Sequence, residues 1–199
     1  MLFRSFGLIF PFSAPAGVTA QESVPLPERF FGGGADSLRT FPYNQAGPRD
    51  VGQAVVPGGP VSQPTGFPLG GNALLFNNVE VRFPLFGANL GGVLFHDMGN
   101  VFSTISDITF RAKQKDLNDF NYITHAAGMG LRYKTPVGPV RVDLAYSINP
   151  PSYLGFGGTA AQLLKCDPNL PPAQLPNYCQ ATRQRVSHLQ FFFSIGQTF

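Results

Sequence analysis

The sequence predicts an all-β, antiparallel fold: the carboxy-terminal portion, about five to six strands, of a transmembrane β-barrel with a long inward-folded loop. First, the 199 residues include 23 glycines, 19 prolines and 20 phenylalanines but no tryptophan, which favours short strands and turns over helices. Second, only 13% of the residues are charged, while the mean hydropathy is +0.02. Strands with an apolar outer face and a polar inner face have this average composition. Third, the sequence has no run of about 18 apolar residues, which excludes a transmembrane helix.

Connections of two lengths alternate along the predicted sheet. Short turns are expected at 84–87 and 135–139, and long loops at 32–70, 103–121 and 149–185. Strands are expected at 71–83, 89–102, 122–134, 140–148 and 187–199. All long loops therefore lie at one end of the sheet, as in outer-membrane barrels. Because the smallest bacterial barrels need about eight strands, the chain is predicted to supply only the carboxy-terminal part of a barrel.

The chain is expected to divide into residues 1–31 as a strand remnant and lead-in, residues 32–70 as the inward-folding loop, and residues 71–199 as the last five strands. Residues 1–20 allow two interpretations. An arginine near the start, a short apolar centre and a small-residue end are typical of a signal peptide. Alternatively, residues 3–12 are the last piece of a strand in a truncated chain. We favour the strand, because one is needed to lead into the loop.

The long loop begins with three consecutive glycines, Gly32, Gly33 and Gly34. They permit positive φ angles and a close approach of the backbone to a wall. Arg39 follows on a short apolar platform, and an arginine buried there requires a carboxylate partner. Glu80 and Asp97, each inside a strand-like run, are the candidate partners. The spacing alone leaves open that Arg39 is a surface charge and that both acids face a watery lumen.

Five sequence blocks occur in an order that resembles a known family. They read ERFFGGGADSLRTF followed by GPRD, GGNALLFNNVEVRFP, VLFHDMGNVF, GMGLRYKTPVGPVRVDLAY and FSIGQTF. Together they resemble the carboxy-terminal barrel of the BamA/TamA superfamily of outer-membrane assembly factors, also called the bacterial surface antigen family. The resemblance implies that Arg39 docks the loop on the inner barrel wall beside the aromatic Phe41. It implies that Glu80 and Asp97 are acidic wall positions. The sequence departs from the family pattern at Thr40, where glycine is usual.

The resemblance also implies a function in folding and inserting other barrel proteins in the bacterial outer membrane, without enzymatic chemistry or a cofactor. The implied partners are outer-membrane lipid, unfolded barrel-protein substrates and, through a missing amino-terminal part, periplasmic domains or lipoproteins. Insertion would proceed by templating, in which the last strand opens and pairs with an incoming strand. The residues expected to form this terminal strand signal are Phe191, Phe193, Ile195, Gly196 and Phe199.

Three alternatives to an assembly factor remain open from the sequence. The first is a pore of the same superfamily that secretes one partner polypeptide. The second is a passive porin-like barrel, which would conduct small solutes independently of Arg39. The third, a soluble β-sandwich, is disfavoured because phenylalanines on the outer strand faces would then form large exposed patches.

Two cysteines, Cys166 and Cys179, lie in one segment rich in proline and asparagine. In an oxidising compartment they would most simply close a local loop disulfide. No C-x-x-C motif or histidine cluster accompanies them, so the sequence predicts no metal site. The net charge of +3, without long basic runs, gives no support to nucleic-acid binding.

The three histidines are predicted to have no catalytic role. His96 precedes Asp97, but neighbours in a strand point to opposite faces and cannot form a dyad. His125 and His188 are scattered along the sequence without the spacing of metal ligands. Asp143 is expected to line a polar lumen rather than to take part in chemistry.

Overall fold

The computed structural model describes residues 2–13, 16–19, 21–52, 63–87, 89–136, 138–167, 170, 174 and 176–196. Its strands are β1 (Leu2–Leu8), β2 (Ala73–Phe86), β3 (Leu90–Phe102), β4 (Thr124–Thr135), β5 (Gly138–Ser147), β6 (Ser152–Phe156), β7 (Ala181–Arg185) and β8 (Leu189–Ile195). The helical elements are α1 (Ala160–Leu163) and 3-10 turns at Leu26–Glu28, Ile105–Asp107 and Asn177–Cys179. No helix within these ranges is long and apolar enough to cross a membrane.

Six strands form one antiparallel sheet in the order β1-β2-β3-β4-β5-β8. This confirms the predicted all-β, antiparallel class. The sheet is open, with β1 and β8 at its edges, as expected of part of a barrel. The long connections leave from one end of the sheet, and the short turns after β2 and β4 lie at the other end.

Strand ends differ from the predicted ones near the two short turns. β2 continues past Pro84 to Phe86, because a register shift between these residues accommodates the proline within the strand. The predicted turn at 135–139 is shorter, since Pro139 already pairs with Lys134. Propensity places such ends only to within a few residues, because hydrogen bonding to the neighbouring strand decides where a strand stops.

The prediction of an irregular loop over 149–185 is wrong in part. β6 and β7 pair antiparallel, from Ser152 opposite Arg185 to Phe156 opposite Ala181. β6 reads SYLGF and has strand-favouring residues, but β7 reads ATRQR and carries no apolar alternation that a sequence pattern could reveal. The connection between β5 and β8 therefore contains a two-stranded ribbon, separate from the main sheet.

Side chains alternate between two chemically different faces of the main sheet. The carboxylates of Glu80, Asp97 and Asp143 are buried on the inner face. Exposed apolar residues follow one another on the outer face and are called the apolar band: Val79, Val81, Phe83, Leu94, Met129, Leu131, Leu144, Phe191, Phe193 and Ile195. A polar inside and an apolar outside are typical of a transmembrane barrel.

The segment between β1 and β2 returns to the inner face of the sheet. Leu38, Phe41 and Ala46 of this segment are buried against Phe76 of β2 and Val101 of β3. The loop thereby adds apolar side chains to the interior, next to the carboxylates of the inner face.

A second apolar cluster lies on the outer face, near the long-loop end. Ile105 and Ile108, from the connection between β3 and β4, pack against the buried side chains of Ala73, Phe102 and Ile123. This connection therefore covers the outside of the sheet where the strands end.

Candidate functional site

Glycines at the start of the loop bring it against the inner wall. Gly33 and Gly34 have φ angles of 113° and 100°, which residues with side chains rarely adopt. A Cβ atom on Gly32 would lie 2.5 Å from the Phe76 ring, so this close approach requires glycine. The Ser37 hydroxyl closes the turn: it accepts from the Gly33 N–H at 2.9 Å and donates to the Gly33 carbonyl at 3.0 Å.

Arg39 is the residue that this turn presents to the wall. It is 2% exposed. Its Nε donates to Asp97 Oδ2 at 2.7 Å, and its Nη2 donates to Asp97 Oδ1 at 2.8 Å, which makes a two-pronged ion pair. The Arg39 backbone N–H also donates to Asp97 Oδ2, at 3.1 Å. Asp97 therefore fixes both the backbone and the side chain of the arginine.

Two further carboxylates complete the surroundings of Arg39. Its Nη1 donates to Glu80 Oε1 at 2.9 Å and to Asp143 Oδ2 at 3.3 Å. Its guanidinium carbon lies 3.5 Å from the centre of the Phe95 ring, a cation–π contact. Since β2, β3 and β5 each provide one acid, a single side chain bonds the loop to three strands.

The charge of Arg39 is stabilised by these partners. Burial alone would lower the pKa of Arg39, but the hydrogen bonds to Asp97 and the charges of the three carboxylates raise it above its ordinary value. A buried ion pair that loses one member leaves an uncompensated charge away from water. The cluster is therefore stable only as a whole, and it can hold a loop in one place.

Asp143 is a partner of Arg39 that the sequence pattern alone did not reveal. Its carboxylate occupies space left by Gly130 on the inner face of β4, and Gly128 leaves space for the neighbouring Phe95 ring. A Cβ atom on Gly130 would lie 1.9 Å from Asp143 Oδ1, and one on Gly128 would lie 2.4 Å from the Phe95 ring. The G-M-G run in β4 was the available signal, because glycine inside a strand often marks a close approach by another group.

The chain from residue 3 to residue 199 matches a protein-family model described as the Omp85 superfamily domain. The chain belongs to the Omp85 superfamily. This match confirms the resemblance to BamA/TamA-type assembly factors. Omp85 proteins are non-enzymatic β-barrel proteins of the bacterial outer membrane that insert or secrete other proteins, so the predicted localisation is confirmed.

Further arginines surround the acids in this Omp85 chain. Arg132 bonds to both carboxylate oxygens of Asp143, at 3.0 Å from its Nη2 to Oδ2. Arg141 donates to Asp143 Oδ2 at 3.4 Å and to Asp36 of the loop at 3.3 Å. The network therefore joins the loop to β4 and β5 by contacts that do not involve Arg39.

Thr40 occupies the position where glycine is usual in the family pattern. It is completely buried. Among the residues that the structure describes, Asn44 is the only non-glycine with a positive φ angle, 56°. The backbone at Thr40 therefore lies outside the left-handed region, and a β-branched residue fits there without strain.

Arg49 is a second buried arginine of the Omp85 loop, to which the sequence assigned no role. It is 3% exposed. It donates to the Gln45 side chain at 3.0 Å, to the Gln45 carbonyl at 2.7 Å and to the Gly66 carbonyl at 2.9 Å. Its guanidinium carbon lies 4.2 Å from the centre of the Tyr153 ring in β6. Burial lowers the pKa of Arg49, in contrast to that of Arg39. Arg49 is thus held by neutral acceptors of the loop itself, and its contact with Tyr153 attaches this outer half of the loop, residues 45–52 and 63–66, to the ribbon.

The long loops also bond directly to one another. Gln114, between β3 and β4, donates to the Ser152 carbonyl at 2.6 Å and accepts from the Ser152 N–H at 2.9 Å. The Phe156 N–H of β6 donates to the Thr65 carbonyl of the β1–β2 segment at 3.0 Å. The ribbon therefore lies between two other loops and contacts both.

A disulfide joins Cys166 to Cys179, the pair named from the sequence. Their Cα atoms are 5.7 Å apart, and 13 positions separate them along the chain. The bridge closes a loop in the connection between β6 and β7, which restricts the unfolded chain.

Two histidines that the sequence described as scattered lie together in the structure. His96 and Asp97 point to opposite faces, as predicted, but the Nδ1 atom of His125 lies 3.4 Å from Nε2 of His96. They are diagonal neighbours across β3 and β4, because His96 lies opposite Ala127 in the register. In the ranges that the structure describes, no group of three or more His, Cys, Asp or Glu residues could hold a metal ion.

The terminal strand has the two-faced pattern expected for residues 191–195. Phe191, Phe193 and Ile195 are exposed on the outer face, and Phe192 packs inward against a small cluster that contains Phe95. Gly196 ends the strand with a φ angle of 78°, and its N–H donates to the Pro139 carbonyl at 3.0 Å. Phe199 lies outside the described residues.

Proposed function

We propose that this chain is part of an outer-membrane insertion factor that templates the strand pairing of substrate barrel proteins at β8. The observation that carries the proposal is the place of β8 in the sheet. In the described part of the chain, β8 pairs with β5 along one side, from Leu189 opposite Tyr146 to Ile195 opposite Val140. Its other side has no partner among the described strands, and in a closed barrel it would meet the first strand at a seam.

An edge strand is a template for another strand. It presents a row of backbone N–H and C=O groups, and each such group left unpaired in hydrocarbon costs several kcal/mol. Pairing with an incoming strand removes that cost for both partners. Among the described residues, β8 pairs with β5 at 7 positions, whereas β2 pairs with β3 at 13, so fewer hydrogen bonds hold these residues of β8.

The side chains of β8 fit a template that works at the lipid boundary. Phe191 and Phe193 face outward and are exposed, while Gln190 and Ser194 lie on the opposite face. An incoming strand with alternating apolar and polar residues places its apolar residues on the outer face in one pairing register only. A shift by one residue would turn them to the inner face. The proposed template therefore selects for the pattern that all outer-membrane strands share.

The docked loop has a supporting part in this mechanism. Arg39 bonds the loop to β5 through Asp143, and β5 is the strand that holds β8. We infer that the loop keeps β5 in place while β8 opens and exchanges partners. Phe41 contributes by packing in the apolar interior beside the arginine.

The test places a photo-crosslinking amino acid at Phe193 in the full-length protein, reconstituted in proteoliposomes with a barrel substrate arrested during insertion. We expect crosslinks from Phe193 to one substrate strand. The matched control is the same probe at Leu94, which is on the same outer face but in the middle of the wall. Equal crosslinking at both positions would contradict templating, and crosslinking only from the lumen position Arg82 would instead support secretion of a polypeptide through the pore.

A further inference from the structure

Polar side chains cross the outer face of the main sheet, and this polar belt consists of Arg4, Asn77, His96, His125, Tyr146 and His188. The members contact one another in pairs. Arg4 donates from its Nε to Asn77 Oδ1 at 3.2 Å. His96 Nε2 lies 3.4 Å from His125 Nδ1. The rings of Tyr146 and His188 stack with their centres 5.4 Å apart. The three pairs lie at neighbouring positions across the strands of the sheet.

The apolar band fills the outer face between the polar belt and the short-turn end. In β4, ten residues follow His125 up to Thr135. At about 3.4 Å per residue and a strand tilt of about 40°, they span about 26 Å along the barrel axis. The apolar band of outer-membrane barrels is about 25 Å tall. The polar belt therefore lies one hydrocarbon thickness away from the short turns, at the level of lipid headgroups.

Protein covers the centre of the outer face on the other side of the belt. Ile105 and Ile108 pack over Ala73, Phe102 and Ile123, so these three side chains are buried, whereas Phe6 in β1 and Ile148 after β5 stay exposed. Residues in hydrocarbon need no such cover, whereas residues in water do. At β2, β3 and β4 the belt therefore separates a lipid-exposed zone from a covered one.

The hydrogen-bond donors of the polar belt suit an anionic headgroup. It contains one arginine and three histidines. The three carboxylates in the described strands, Glu80, Asp97 and Asp143, all face the interior. In the adjacent β3–β4 connection, Asp119 is paired with Arg111, while Asp107 and Asp116 accept hydrogen bonds from Thr104 and Asn118. N–H donors with little negative charge nearby are what phosphate oxygens accept from.

We propose that the polar belt binds the anionic, phosphate-bearing headgroups of lipids in the leaflet on the long-loop side. The paired imidazoles of His96 and His125 form its centre, and Arg4 and His188 extend it to either side. Aromatic residues near the short turns, Phe83 and Tyr133, occupy the opposite boundary. The two boundaries of the barrel wall thus differ in chemistry, as the two leaflets of an asymmetric membrane do. This binding is independent of the insertion activity proposed above.

The experiment compares nanodiscs of phosphatidylcholine alone with nanodiscs that also contain diphosphorylated lipid A, using the full-length protein. Lipid A retained by the protein is quantified by native mass spectrometry. We expect wild-type protein to retain lipid A and the H96L/H125L variant to bind it about fivefold more weakly, because the imidazole N–H donors to phosphate oxygens are lost. Heat-dependent gel mobility establishes that the variant is folded.

The matched control is Leu94→Ala with Met129→Leu, which changes the same outer face within the apolar band and should leave lipid A retention unchanged. Retention that is equal in wild type and H96L/H125L would overturn the proposal. Binding of inorganic phosphate as tight as that of lipid A would show a site for the free ion and would overturn it too. Since two imidazole nitrogens 3.4 Å apart could also share a metal ion, loss of retention with EDTA would assign the histidines to a metal instead.

Discussion

Arg39 is a buried cation whose charge is shared among three carboxylates from three strands. Its two-pronged bond to Asp97 also includes the backbone N–H, so the acid positions the loop backbone as well as the side chain. Lysine at this position could not reproduce the planar fork. The site is a mechanical attachment, and its strength depends on each member being present.

Replacing Asp97 with Asn should destabilise the protein by about 3–5 kcal/mol, because it leaves Arg39 buried with incomplete neutralisation. The measurement is urea unfolding of the full-length protein in detergent. Arg82→Ala is the matched control: Arg82 also bonds an acid of the cluster, Glu80, at 2.7 Å, but its side chain is 47% exposed. We expect about 0–1 kcal/mol for this exposed pair. Equal effects of the two substitutions would show that the cluster is not a buried lock.

Arg49 should act on the outer half of the loop alone. Arg49→Met removes the donors to Gln45 and Gly66 and the cation over Tyr153, so we expect faster hydrogen exchange at the Phe156 N–H, which bonds to Thr65. Exchange at the Gly34 N–H, near Arg39, should be unchanged. Tyr153→Leu keeps an apolar contact but removes the aromatic face, and its effect should be smaller. Equal acceleration at both amides would mean that the loop opens as one unit.

Among the elements, the connection between β3 and β4 is stabilised by the ion pair of Arg111 and Asp119, which is lost when Asp119 is protonated. Burial alone would raise the pKa of Asp119, but the hydrogen bonds from Arg111 and from the Lys115 and Asn121 amides lower it below its ordinary value. A carboxyl group with a lowered pKa in the folded state stabilises that state above the unfolded pKa of about 3.9. The stabilisation is lost as the pH falls through the lower, folded value.

This connection should therefore keep its structure from pH 7 down to about pH 4 and loosen below it. The measurement is hydrogen exchange of residues 111–123, corrected for the intrinsic rate at each pH. Asp119→Asn should loosen the connection at neutral pH and abolish the acid step. A step that persists in this variant would assign the pH dependence to another group.

The disulfide closes the connection between β6 and β7 of the ribbon. Replacing Cys166 and Cys179 with serine should destabilise the ribbon by about 3 kcal/mol, the value expected for closing a loop of this length. Amide hydrogen exchange should become faster at the Phe156 N–H and remain unchanged in β3 and β4. The main sheet has its own hydrogen-bond ladder, so exchange that increases there as well would show that the ribbon supports the wall.

At the scale of the whole molecule, a wall of strands is closed on its inside by one loop and at one end by contacts among three loops. Arg39 attaches the inner loop to the wall, and Arg49 attaches it to the ribbon. If the loop remains docked while β8 exchanges partners, as proposed, a covalent bond between the loop and the wall should leave the rate of substrate insertion unchanged.

Cysteines at Ser37 and Asn78 test this expectation, because the Asn78 side chain donates to the Ser37 carbonyl at 2.8 Å. We expect the oxidised double variant to insert a barrel substrate into proteoliposomes at the rate of its reduced form. A matched pair at Tyr146 and Leu189 joins β5 to β8, which are opposite one another in the register. Oxidation of that pair should block insertion, because β8 could no longer open. The reverse outcome would make loop movement, and not strand opening, the working step.

The sequence by itself determined which residues face inward and which face outward, because side chains in a strand alternate whatever the strand pairs with. It also determined that the long loops share one end, since that follows from connection length. The tertiary structure decided what meets across the sheet: Asp143 with Arg39, His96 with His125, and Arg49 with Tyr153. These contacts depend on the register between distant strands and on the packing of long loops. No local period in the sequence encodes either, because a strand's neighbours are chosen by hydrogen bonds and packing between segments far apart in the chain.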